Sequence, residues 1–69
     1  MAPREAYLMT LRLELADLPA TLAEDMIGDL DAHFRDALAA GRAEAEAAQR
    51  LGDPVRLAHD LRVAVGVEA

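Results

Sequence analysis

Sixty-nine residues, thirteen acidic against seven basic for a formal net charge of −6, make one small domain in which a lone core is marginal. The absence of cysteine excludes disulfides and thiolate ligands and fits a reducing compartment, and two histidines fall short of a structural zinc site. The negative charge opposes phosphate backbones and anionic bilayers, which argues against nucleic acid or a membrane surface as the direct ligand.

Ala and Leu dominate and the β-branched residues cluster late, so helix is predicted throughout. The first helix is expected from about Arg4 to Asp17. Leu8, Leu11, Leu15 and Leu18 recur at three- and four-residue steps along one face, with Tyr7 at its edge. Leu18-Pro19 ends it, because a residue before proline is pushed out of the helical region. A second helix is expected over 20–40, opened by a capping box in which Thr21 and Glu24 each answer a backbone N–H. Its apolar stripe of Leu22, Met26, Ile27, Leu30, Phe34, Ala37 and Leu38 is wide enough to touch two neighbours, which makes this helix the expected centre of the fold. Gly28 falls on its polar side, and Gly41 is placed to stop it in a left-handed conformation.

A short third helix is predicted over 43–51, with Ala47, Ala48 and Leu51 inward and Gly52 terminating it. Asp53 then reads as an N-cap and Pro54 as the first residue of a fourth helix over 54–65, which buries Leu57, Ala58, Leu61 and Val65. The expectation is an all-α, four-helix domain covering 1–69. Its core is Leu8, Leu11, Leu15, Leu18, Leu22, Met26, Leu30, Phe34, Leu38, Leu51, Leu57 and Leu61.

Chemistry-bearing constellations are sparse. Asp25, Asp29, His33 and Asp36 run along one edge of the second helix, where the simplest reading is solvated carboxylates around a histidine at the core boundary. His59 reads as a surface residue. Serine, cysteine and lysine are all absent, Thr10 and Thr21 suit a helix surface and a cap, and no glycine-rich loop is present to cradle a phosphate. No enzymatic activity, metal or cofactor is therefore expected. Asp31–Arg35 and Glu46–Arg50 have the favourable i,i+4 order and belong to the scaffold. The third and fourth helices have the order of a helix-turn-helix, but Arg56 and Arg62 alone on an acidic domain make a poor recognition helix.

No stretch approaches the roughly 18 apolar residues of a membrane span, and Arg4-Glu5 precedes no signal-peptide pattern. The apolar tail Val63-Ala64-Val65-Gly66-Val67 reads as a place where a longer protein continues. The sharper surface feature is on the first helix. Ala6, Met9, Leu13 and Ala16 form a second apolar stripe opposite the leucine face, expected to be a seam for a second copy or for a protein partner.

Taken in order, Tyr7-Leu8, Leu11, Leu15, Leu18-Pro19, His33-Phe34, Gly41, Glu44, Glu46, Leu51-Gly52-Asp53-Pro54 and Leu57-Ala58 resemble the HAAS domain, the helix-turn-helix-associated α-helical signalling domain. The resemblance runs from about Arg4 to Val65. Ala43 departs from it, standing where Ser or Thr usually caps the third helix. Leu30 stands where an aromatic is frequent, and Leu13 where relatives are more often polar. The resemblance implies a cytoplasmic signalling or adaptor module, tethered to a membrane through a further C-terminal segment in many relatives. Its implied partner is a PadR-type transcription regulator that itself makes the DNA contacts. A prefix module of a transporter permease is the alternative it implies.

Overall fold

Proline and glycine set the boundaries of the helices. The computed structural model describes residues 2–66. It contains α1 (Pro3–Glu14), α2 (Ala20–Ala39), α3 (Glu44–Leu51) and α4 (Pro54–Ala64), with no strand among the described residues. Val67, the last residue of the apolar tail, lies outside them.

Pro3 opens α1 at a position where its missing N–H would have had no intrahelical partner. α1 ends at Glu14, three residues before the expected Asp17. Leu15 to Asp17 form a turn in which the Leu18 N–H donates to the Leu15 carbonyl at 3.0 Å. Pro19 keeps Leu18 out of the helix, and Arg62 donates from Nη2 to Glu14 O, answering a carbonyl that the early exit leaves without an intrahelical partner.

α2 begins at Ala20 with Pro19 as its N-cap and no side-chain cap, so the expected capping box is not formed. Thr21 lies inside the first turn, and Glu24 reaches across to Arg12 at 2.8 Å instead of back to the backbone. The other end behaves as predicted. Gly41 has φ +83°, its N–H donates to Leu38 O at 3.0 Å, and the Arg42 N–H donates to Ala37 O at 2.9 Å, the Schellman arrangement. The helix itself ends at Ala39, one residue short of the predicted limit.

α3 starts at Glu44 rather than Ala43, because Ala43 is the N-cap and has no side-chain acceptor to draw the boundary earlier. Asp53 caps α4, accepting from the Val55 N–H at 2.9 Å, with Pro54 first in the helix. Val65 was expected to be buried, but as the C-cap residue it has left the helix and is 39% exposed. The two i,i+4 pairs are present, Arg35–Asp31 and Arg50–Glu46 each at 3.5 Å.

α1, not α2, is the hub: it packs against α2, α3 and α4, whereas α2 packs against α1 and α3. The wide stripe of α2 suggested the opposite. The buried residues of its 20 run only from Ile27 to Ala37, so the neighbouring helices leave its two ends uncovered. Leu22 near one end and Leu38 near the other are consequently exposed rather than core.

The buried core is built from Tyr7, Leu11, Leu15 and Leu18 facing Ile27, Leu30, Phe34 and Ala37, with Ala47 and Ala58 inserted from α3 and α4. Leu8, Met26, Leu51, Leu57 and Leu61 are half-buried around it. Tyr7 is a core residue rather than an edge one. Its ring meets Phe34 edge-on, with centroids 5.6 Å apart and planes at 66°, a favourable aromatic geometry. Ala47 and Ala58 are almost fully buried, because a small side chain lets α3 and α4 approach the bulkier residues of the hairpin.

Candidate docking face on the first helix

A helix packed against three others has one face left, and on α1 that face carries an apolar stripe with Glu5 and Arg12 along one edge. Met9 is 46% exposed and Leu13 73%, Ala16 is exposed in the turn that follows the helix, and Ala6 is half-buried beside them. The 3.6-residue period that sends Tyr7, Leu11 and Leu15 into the core sends Met9 and Leu13 outward. Transfer of a fully exposed leucine out of water is worth about 1.5–3 kcal/mol, so Leu13 is the side chain with most to gain from a neighbour.

Beside this stripe lies an open groove of about 460 Å³. Leu8 and Met9 give it apolar walls, and Arg4, Glu5, Arg12 and Glu44 supply a rim of mixed charge. The rim is held from outside α1. Asp31 accepts from Arg4 at Nε, 2.8 Å, and at Nη2, while Glu24 holds Arg12 at 2.8 Å. Glu44 Oε1 accepts the backbone N–H of Arg4 at 3.2 Å, so α3 caps the start of α1 across 40 residues of sequence. Sequence reasoning missed the groove and this cap. The available signal was Ala2, which as N-cap has no side-chain oxygen to offer and leaves the first N–H groups of α1 in need of another acceptor.

The other candidate residues do not converge. His33, Asp25, Asp29 and Asp36 are all exposed, so His33 is not at the core boundary, and His59 is exposed on α4. Among the described residues no three His, Cys, Asp or Glu are grouped to hold a metal ion. Of the two arginines on α4, Arg62 is turned into the fold, where it meets Glu14 O and Asp17 Oδ1, the latter at 2.7 Å. The Tyr7 hydroxyl is buried with no hydrogen-bond partner. Burial first, and the charge of Asp53 second, hold its pKa above the ordinary value of 10.0.

The ordered signature residues occupy structural stations. Leu18 and Pro19 make the first turn, with Leu18 buried, and Phe34 fills the core beside exposed His33. Gly41 and Gly52 take positive φ, Asp53 and Pro54 start α4, and Ala58 is buried with Leu51 and Leu57 half-buried near it. The model of the HAAS family matches residues 6–60. The chain belongs to the HAAS family. No curated protein and no solved structure matches it. In this HAAS domain the matched segment contains the whole outward stripe from Ala6 to Ala16, while Arg4 and Glu5 of the groove rim precede it. Among the described residues of the HAAS domain, no helix is long and apolar enough to cross a membrane.

Proposed function

We propose that this HAAS domain is a non-catalytic interaction module that binds a PadR-type transcription regulator through the outer face of α1. The observation that carries the reading is Leu13, 73% exposed beside Met9 on the one face of the hub helix that no other helix covers. A partner helix or sheet face laid along Ala6, Met9, Leu13 and Ala16 removes this apolar surface from water. The class of partner rests on the family resemblance. The domain's acidity suits such a role, since a charge of −6 keeps it off the DNA while the regulator makes those contacts.

The test is co-purification of the domain with a PadR-type regulator from the same cell, in wild-type form and as Leu13→Glu. The expected result is a stable complex for the wild type and its loss for the variant, with the helical circular dichroism of both unchanged. Recovery of a transporter permease instead of a regulator replaces the partner class, and a complex indifferent to Leu13→Glu removes α1 from the interface.

A further inference from the structure

The outer face of α1 carries an order of residues that complements itself. Glu5 and Ala6 precede Met9 by four and three residues, and Arg12 and Leu13 follow it by three and four. Residues seven apart share an edge of a helical stripe, so Glu5 and Arg12 lie along one edge, Ala6 and Leu13 along the other, and Met9 between them. A two-fold axis at right angles to the helix, beside Met9, reverses this order end to end without exchanging the edges. It therefore sets acid against base on one edge and a large apolar side chain against a small one on the other.

We propose that α1 pairs antiparallel with α1 of a second copy of the chain about this axis. Met9 meets Met9 of the second copy, Leu13 lies over its Ala6, and Glu5 pairs with its Arg12. The match in size permits close approach, because Leu13 projects where the facing side chain is only a methyl. Arg12 already holds Glu24, but both side chains are more than half exposed, and a guanidinium with five donors serves two carboxylates. The parallel arrangement is disfavoured, since its two-fold axis runs along the helices and exchanges the edges, setting Glu5 against Ala6 and Arg12 against Leu13 and leaving both charges unpaired across the seam. The domain's net charge of −6 works against self-association at large, whereas Glu5 and Arg12 make the α1 stripe itself neutral.

A seam of 12 residues is about 18 Å long, at the small end of specific interfaces, so the dimer forms and dissociates with concentration. The inference stands apart from the regulator reading, although the two occupants of α1 exclude one another. It is tested with no regulator present.

Sedimentation of the 69-residue chain over a wide concentration range is expected to show the mass rising from 7.4 kDa towards twice that value. Leu13→Glu stays monomeric with its helical circular dichroism intact. Glu5→Arg and Arg12→Glu each raise the dissociation constant about ten-fold, because both symmetric ion pairs become like-charged. An equal mixture of these two variants recovers the wild-type affinity, since each supplies the charge the other lacks. A chain that is monomeric at every concentration overturns the proposal. So does a dimer unaffected by Leu13→Glu, or one that neither single charge reversal weakens.

Discussion

Tyr7 brings a large ring into the core together with a hydroxyl that finds no partner there. A buried polar group left without a hydrogen bond costs about 1–3 kcal/mol, so Tyr7→Phe is expected to leave stability unchanged or raise it by about 1 kcal/mol in thermal unfolding. The same residue gives the fold an alkaline limit. Burial and then Asp53 raise its pKa above 10.0 in the folded chain, so the unfolded chain ionises first. The contribution of the neutral phenol is fully present below the unfolded value and is lost as pH rises through the folded one. Stability of the wild type should fall across that alkaline window, and Tyr7→Phe should abolish this part of the decline. As the chain's one tyrosine, Tyr7 can be followed directly by its phenolate absorbance. Glu44 shows how far single residues could be read. Its place at the start of a short helix was visible in sequence, but the N–H it caps belongs to Arg4, which only folding brings within 3.2 Å.

Among the elements, two glycines on α2 and its C-terminal turn illustrate opposite uses of one residue type. Gly28 lies in the helix interior with nothing within 4 Å of an added Cβ, so it gives up helix propensity without any packing gain. Gly28→Ala should stabilise the domain by about 1 kcal/mol, a rise in Tm of roughly 4–8 °C. Gly41 also has open space around it, but its φ of +83° is one that alanine adopts only with strain. Gly41→Ala should therefore destabilise by about 1–2 kcal/mol. The two variants, melted side by side, separate backbone conformation from packing. If both shift Tm in the same direction, the Schellman reading of the α2 terminus is wrong. Element type and order were legible because these signals are local: Gly41, Gly52 and Asp53-Pro54 act on their immediate neighbours. The start of α2 at Ala20 was legible too, but the end of α1 at Glu14 and the fate of Glu24 were not, because Arg62 and Arg12 reach those groups from other helices.

For the molecule as a whole, the decisive feature is that a 12-residue helix serves as the hub of the domain. Leu11 sits on it with 0% exposure. Leu→Ala at a site of this kind costs about 2–5 kcal/mol, and a core this small supplies only about 3–5 kcal/mol of net stability. Leu11→Ala should thus leave a chain without a cooperative thermal transition. Leu22→Ala, at a residue 37% exposed beyond the covered part of α2, should cost about 1 kcal/mol or less. Equal costs at the two positions would mean that α2, not α1, is the centre.

The sequence by itself determined the helical class, the number and order of helices, the turn chemistry and the family, because each rests on short-range backbone preferences and ordered spacing. It also marked Ala6, Met9, Leu13 and Ala16 as a second stripe. Only the tertiary structure decided which helix is surrounded, which apolar residues are left over at the ends of α2, and that Met9 and Leu13 stay uncovered. Periodicity shows that a helix has two apolar faces; it does not show how many neighbours arrive to cover them. That depends on the relative lengths of helices and on contacts such as Arg62 with Glu14, which join residues 48 positions apart.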